Sequence, residues 1–569
     1  MVTLMQTPHK YNPQLKRALA YTLLCLLCTL PARAARTERL AVNWRPLHYD
    51  VALTFDDQLS ALTRAETRIT VLVLRAPLSV LDLDFGALPV DGVLVDAEPA
   101  RFEQAAGRLN ITLPRPAQAQ TRLAVSITYH GRPADGLILV NDKDGHPSAT
   151  GDNWPDRVHN WIPTLDHPAA KATVNFTVTA PARDTVVANG RLLGLLPTPD
   201  GQRRTWTFSE AAPVPPYCMI VVVGEFAEVV PPETLAADKP AVPLAYYVAP
   251  SEQSLALAGF SAAPPALKFF TQTVAPYPYE KLAHIIGATR FGGMENTSAI
   301  VYQSTLLAPR PNAPVSQRFQ IGRSLVEIVA HETAHQWFGD AVTPATWADL
   351  WLSEGFANYF AGLFVAQAEG ADVFRQYMRR QAETYLTYER KRRAPIYDTE
   401  TERLNSLLNA NNYQKGSWVL HMLRAQLGDA AFFAGLRHYY HAHAGANATT
   451  EDLRRALEHA SGRSLRAFFA RWVYGSGHPQ YELNWAWRRR GRQGGTLALT
   501  LKQTQPDEPF LTPLPVKVVL EQGEQRLTLR PAGRTTVARF PVAERPTEVQ
   551  LDPDETILKE ASVTEQAKQ

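Results

Sequence analysis

One stretch, His331 to Phe360, constrains this chain more than any other: HETAHQWFGDAVTPATWADLWLSEGFANYF. Ile321, Leu325, Ile328 and Val329 lead into it at helical spacing, which predicts an amphipathic, half-buried helix. On such a helix His331 and His335 stand four residues apart, so both imidazoles leave one face about one turn apart. Two neutral ring nitrogens at that spacing can reach one zinc ion, and Glu332 is placed to take a proton from the attacking water. A catalytic zinc site needs a third protein ligand and an open fourth position. Glu354 is the candidate, in a second apolar-rich helix (Leu350, Trp351, Ala357, Phe360, Leu363, Phe364) that can fold back on the first.

HExxH, eighteen intervening residues and a Glu inside EGFA resemble the gluzincin zinc peptidases, specifically the aminopeptidase N family. The G-x-M-E-N and Y-x-K-G segments of that family are matched in order by Gly292, Gly293, Met294, Glu295 and Asn296, and by Tyr413 to Gly416. The resemblance implies one Zn2+ per chain on His331, His335 and Glu354, with Glu332 as general base. Tyr413 would donate a hydrogen bond to the developing oxyanion. Gly292 to Asn296 would bind substrate: glycines at a sheet edge let a peptide backbone approach, and Glu295 offers a carboxylate to a free α-ammonium. An internal peptide bond carries no such cation, so the expected substrates are peptides with a free N-terminus. Family members also carry an amine-facing acceptor upstream, which corresponds here to Asp152 or, one residue on, Asn153. Asp340 and Asn358 are candidates to orient the metal ligands.

Along the chain, short alternating runs from about Leu40 to Val230, such as Tyr49–Phe55, Arg68–Leu74 and Leu123–Tyr129, predict an antiparallel β-domain. Asp152–Ala172, with two tryptophans and three prolines, breaks that pattern. A helix is expected across Gln253–Thr273, strands on either side of GGMEN, helical periods from Phe319 to Val473, and strands again after Pro479. The fold expected is multidomain α+β. A saddle-shaped antiparallel β-domain (35–235) precedes a thermolysin-like zinc domain (236–475), and a small C-terminal β-sandwich (476–569) follows.

Lys10, Lys16 and Arg17 precede the apolar run Ala18–Leu30, and Ala32-Arg33-Ala34 follows it. Residues 1–34 therefore read as a signal peptide, with export to the periplasm or beyond and no stable membrane insertion after cleavage. Its loss would leave Cys218 as the one thiol, too few for an intrachain disulfide. A net charge of +3 gives no ground for nucleic-acid binding. His438, His441 and His443 read as an exposed helix end rather than a second metal site. GGMEN is also similar to the leukotriene A4 hydrolase branch, so a bifunctional epoxide hydrolase is one alternative. A non-catalytic binding protein of gluzincin fold is the other.

Overall fold

A computed structural model describes residues 35–40, 42–232, 242–307, 325–490 and 494–566. The expected signal peptide, residues 1–34, lies outside the described residues, as does Ile321.

The N-terminal region is β-rich because its segments alternate: in Trp44–Phe55, Tyr49, Val51, Leu53 and Phe55 turn inward while Ala52 is exposed. Eight strands form its large sheet, in the order Arg191–Pro197, Arg203–Val214, Ala172–Pro181, Trp44–Phe55, Leu62–Val73, Arg122–Gly131, Val90–Val95, Glu98–Pro99. The expectation of a purely antiparallel domain is corrected at its centre, where Trp44–Phe55 and Ala172–Pro181 run parallel. Parallel neighbours need a crossover instead of a hairpin, and the intervening chain, including the Asp152–Ala172 loop, supplies it.

A four-stranded sheet (Thr185–Ala188, Val221–Gly224, Pro147–Gly151, Leu137–Asn141) forms the next layer. Alternation gives it two buried faces. Val186, Ala188, Val221 and Val223 join the N-terminal core, while Val187, Ile220 and Val222 meet Ala283, Ile285, Ala299 and Val301 of the following sheet. Cys218 is buried, but in a short turn ahead of the strand that begins at Val221.

That following sheet runs Ala227–Val229, Leu244–Val248, Leu282–Gly287, Ala299–Gln303, Gly293–Met294, so it takes an outer strand from before residue 235. Its other edge is Gly293–Met294. The helix expected over Gln253–Thr273 is broken near Phe260; α1 (Ala263–Thr273) restarts with prolines in its first turn, where their missing N–H costs nothing. Then come α2 (Leu325–His335), α3 (Trp351–Glu369), α4 (Ala371–Glu389), α5 (Gly416–Leu427), α6 (Asp429–His443), α7 (Thr450–Ser461) and α8 (Arg466–Trp472). Thr449 and Asp452 cap α7 reciprocally. Among the described residues no helix is long and apolar enough to cross a membrane.

After His478 the chain forms a four-stranded sheet (Thr535–Val542, Gly495–Gln503, Gln480–Arg489, Glu560–Glu565) and a three-stranded one (Gly523–Leu529, Leu514–Leu520, Glu548–Leu551). Leu483, Leu497, Leu499 and Leu501 of the first share a core with Val516, Val518, Leu529 and Val549 of the second. Arginines at the end of α4 tie this region to the helices: Arg390 meets Glu560 at 2.6 Å and Arg393 meets Asp507. From the N-terminal side, buried Lys171 donates to the carbonyls of Asp340 and Ala341 at 2.7 and 2.9 Å, in the loop after α2.

Candidate active site

The last turn of α2 carries His331, Glu332 and His335, and the first turn of α3 carries Glu354; all four are buried. The connection between the helices explains the WFGD letters. Gly339 has φ +128°, and a Cβ there would stand 2.5 Å from Ser353 Oγ and 3.1 Å from His335 Nδ1. The bare glycine lets the chain close over His335, whose Nδ1 donates to the Phe338 carbonyl at 3.1 Å, with Ser353 Oγ at 3.0 Å. That bond leaves the Nε2 lone pair facing inward. The expected orienting residues do not do this: Asp340 meets Gln336 and Cys218, and the Asn358 side chain donates to Gln381.

His331 Nε2 and His335 Nε2 are 3.1 Å apart, and each lies 3.4 Å from Glu354 Oε2. Tetrahedral ligands about 2.05 Å from a zinc ion stand about 3.3 Å from one another, so the three atoms fit such an ion. Among the described residues, no hydrogen-bond donor meets the geometric criteria at the buried Glu354 Oε2. Glu295 joins from the sheet edge: one oxygen each of Glu295 and Glu332 and one nitrogen of His335 lie within 4.8 Å of one another. The cavity here is lined by three carboxylates (Glu295, Glu332, Glu354) and, among the described residues, by no lysine or arginine. The carboxylates draw positive charge to this point. Burial opposes a charged His335, yet Glu295 and Glu354 hold it up at about 10. Burial first, then the Glu354 charge, raises the Glu295 carboxyl above its ordinary range. Glu354 titrates below its ordinary range: burial works against this, and the two imidazoles outweigh it.

Tyr413 arrives on a single wide turn, Asn411–Lys415, that leads into α5 and is closed by Lys415 N on the Ala410 carbonyl at 2.9 Å. Its hydroxyl donates to Glu354 Oε1 at 2.6 Å, and its ring lies parallel to His331 at 6.0 Å. Close passage of α3 and α5 makes this possible: a Cβ on Gly355 would stand 2.9 Å from the Gly416 backbone, and one on Gly416 3.0 Å from Gly355 Cα.

Gly292, Gly293 and Met294 line the cleft. Asn296 lies beneath them, its side chain toward the Met294 carbonyl at 3.4 Å, and lines neither cavity. Asp152 is a correction. Its carboxylate is fully buried and taken by Thr289 Oγ1 at 3.0 Å and Arg157 at 2.9 Å, and it does not line the cavity. Asn153 is likewise occupied, by Trp161 Nε1 and the Met219 carbonyl. Of the partners that capture Asp152, Thr289 comes from a distant segment, which counting along the motif does not reveal. Sequence reasoning missed Trp154, Phe291 and Leu408, which wall the cavity, and Gln336 and Ser353, which brace it. His438 pairs with His459, ring centroids 4.8 Å apart, and none of His438, His441 and His443 belongs to a three-ligand group among the described residues.

Residues 45–218 match the peptidase M1 N-terminal domain and residues 259–472 the peptidase family M1 domain. Aminopeptidase 2 of Candida albicans is 26% identical over 498 residues, covering 81% of this chain and 52% of the relative. The puromycin-sensitive aminopeptidase of Caenorhabditis elegans is 26% identical, over 84% of this chain and 51% of its own. Aminopeptidase N of Streptomyces lividans is 30% identical over 334 residues, 55% of this chain and 36% of the relative. The chain thus spans about half the length, or less, of these curated relatives. With two adjoining family domains matched over the segments that build the cleft, this chain belongs to the peptidase M1 family.

Proposed function

We propose that this chain is a zinc aminopeptidase that hydrolyses the N-terminal peptide bond of peptides. The observation that carries the reading is the joining of Glu295, on a sheet edge, to His331, Glu332, His335 and Glu354 in one small buried chamber. One Zn2+ per chain, held by His331, His335 and Glu354, would acidify a water and polarise the peptide carbonyl. Glu332 takes the proton of the attacking water and returns it to the leaving amine. Tyr413, beside the same point, donates to the oxyanion as the carbonyl carbon becomes tetrahedral. Glu295, buried in the cavity wall, pairs with the substrate α-ammonium, and a substrate without that cation leaves its carboxylate uncompensated. Gly292 and Gly293 leave room for the substrate backbone along the Gly293–Met294 edge.

The complete triad with Glu332 favours catalysis over the binding-protein alternative. The relatives named above are all aminopeptidases, which supports the same reaction class. The domain limits of the sequence reading (35–235, 236–475, 476–569) and a C-terminal β-sandwich belong to this proposal. So does export through residues 1–34 as a periplasmic or secreted enzyme.

The test is hydrolysis of aminoacyl amides and short peptides, free and N-acetylated, with and without a zinc chelator and with the Glu332→Gln protein. Activity confined to free N-termini, abolished by chelator and by the substitution, supports the reading. Cleavage of acetylated peptides removes the amine-anchor role of Glu295.

A further inference from the structure

We propose that Arg36 to Arg39 form a strap that holds in place the wall carrying Leu408 and Tyr413, and that Arg36 and Glu38 are positioning residues for the reaction. The inference rests on the aminopeptidase reading and adds to it two residues that precede both matched family domains.

The strap ties the helical region to the N-terminal one. The Arg36 amide donates to the Thr399 carbonyl at 2.6 Å, and its guanidinium donates to the carbonyls of Asp398 and Thr401 at 3.2 and 2.9 Å. Arg36 also pairs with Glu38 Oε1 at 2.7 Å, the two side chains being 5% and 12% exposed. The other Glu38 oxygen accepts from the Trp347 amide at 3.2 Å and lies 2.9 Å from His167 Nε2. Arg39 donates to the Asp82 carbonyl at 2.7 Å and to Asp84 Oδ1 at 3.2 Å, on the strand Leu78–Asp84. One ion pair thus joins residues 398–401 to Trp347, and Arg39 fastens both to the N-terminal region.

Arg36 grips the start of a segment that is braced turn by turn as far as Tyr413. Asp398 Oδ1 accepts from the amides of Glu400 and Thr401, both at 2.9 Å. The Ser406 amide donates to the Arg403 carbonyl at 2.8 Å, and Asn409 Nδ2 to the Ser406 carbonyl at 2.7 Å. Asn412 Nδ2 donates to the Leu407 carbonyl at 2.7 Å, and the Tyr413 amide to that of Asn409 at 3.2 Å. Leu404, Leu407 and Leu408 of this segment pack with Trp154, Met294 and Trp347 in one apolar cluster. Glu38 holds that cluster from the Trp347 side and Arg36 from the other. Trp154, Met294, Leu408 and Tyr413 in turn line the cavity at the metal-ligand set. Close-packed rings and hydrogen-bonded turns pass a displacement on, because neither has room to absorb it. Misplacing a reacting group by about 1 Å costs on the order of 100-fold in rate.

The experiment measures kcat, KM and zinc content for wild type, Arg36→Ala, Arg36→Lys and Glu38→Ala, on the free-amine peptide that wild type cleaves fastest. The Arg36 variants are also made in the Tyr413→Phe background. Arg36→Ala and Glu38→Ala should each lower kcat per bound zinc by about 10- to 100-fold, with a smaller change in KM. In the Tyr413→Phe background Arg36→Ala should cost less than about threefold, since the hydroxyl that it places is gone. Millimolar guanidinium should restore part of the Arg36→Ala activity through the cavity of about 380 Å³ lined by Arg36, Glu38, Asp156, His167, Trp347 and Leu404. Arg36→Lys keeps the charge and loses the two-carbonyl fork; it decides in the same sense if Arg36→Ala fails to fold.

An unchanged kcat per zinc, with only a lower melting temperature, overturns the inference and leaves the strap a structural clip. An equal loss in the two Tyr413 backgrounds overturns it as well. Hydrogen exchange needs no turnover: Arg36→Ala should speed amide exchange across residues 404–413, and faster exchange confined to 35–40 and 398–401 counts against the strap. Failure of the aminopeptidase reading looks different: wild type hydrolyses no free-amine peptide, or hydrolyses acetylated ones, while the exchange result still decides whether the strap reaches Tyr413.

Discussion

Glu332 packs directly on the backbone of Gly293: a Cβ at that position would stand 2.4 Å from Oε1 and 2.5 Å from the carboxyl carbon. The second glycine of GGMEN therefore makes room for the proposed general base as well as for substrate. Gly293→Ala is expected to push the Glu332 carboxylate aside and lower kcat by roughly 10²- to 10⁴-fold, the range of a lost general base. His331, His335 and Glu354 are untouched, so zinc content should stay at the wild-type level. Metal analysis beside steady-state kinetics checks both halves; loss of zinc together with activity would point to a collapsed site.

Gln336, one residue past His335, bonds in four directions. Its Nε2 donates to the Glu295 carbonyl at 3.0 Å and to Asp340 at 2.8 Å, and its Oε1 accepts from Ser298 N at 2.8 Å and Tyr277 at 3.1 Å. It fastens the strand that carries Glu295 to the helix that carries the histidines. Gln336→Met keeps the volume and leaves buried donors unpaired, at about 1–3 kcal/mol each. The expected kinetic signature is a raised KM for free-amine substrates with a smaller change in kcat. An equal fall in kcat and kcat/KM would assign Gln336 to the chemistry instead.

The Tyr413 hydroxyl reaches the site because Gly355 and Gly416 pass at contact distance. Tyr413→Phe removes the donor alone and should lower kcat by about 10²- to 10³-fold with KM little changed. Gly416→Ala should lower kcat as well, by moving the whole turn, and should also lower the melting temperature, which Tyr413→Phe should alter far less. Thermal unfolding of the two variants separates them.

The zinc triad was legible in the sequence because both histidines sit on one helix at a spacing that geometry dictates, and three separate motifs kept their order. What holds His335 was not. A backbone carbonyl, that of Phe338, leaves no side-chain signature, so Asp340 and Asn358 looked like better partners than they are. Asp152 was assigned by counting from Arg157, and the partner that the count does not show, Thr289, is 137 residues away in the chain. The parallel pairing of Trp44–Phe55 with Ala172–Pro181 eluded the reading for the same reason: alternation marks a strand and says nothing about its neighbour. The wall residues Trp154 and Phe291 acquire their meaning from contact with each other, across two domains.

Metal removal offers a readout independent of turnover. A ligand that binds only the folded state stabilises it by RT ln(1 + [L]/Kd), about 4 kcal/mol at a thousandfold excess over Kd. Chelation should therefore lower the melting temperature, and zinc should restore it. In a His331→Ala, His335→Ala protein the same chelator should have no effect; a shift that persists there would place the stabilising ion elsewhere.

His284 supplies a pH prediction away from the metal ligands. It is buried in the sheet between Tyr246, Phe260 and Tyr302, with Nδ1 2.9 Å from the Tyr302 hydroxyl, and burial alone drops its pKa from 6.5 to about 3. Between those values the unfolded chain binds a proton that the folded chain does not. Stability therefore falls as pH drops below 6.5, by about 1.4 kcal/mol per pH unit from this residue, and the loss is complete near the folded pKa. His284→Asn does not titrate there and keeps a hydrogen-bonding group for Tyr302. It should be less stable than wild type at pH 7.5 because it leaves space beside three rings. Its further loss between pH 6.5 and 4.5 should nevertheless be smaller than that of wild type. Urea unfolding of both proteins across that range gives the two slopes. Equal slopes would mean that His284 becomes charged in the folded protein, which would require the sheet to open around it.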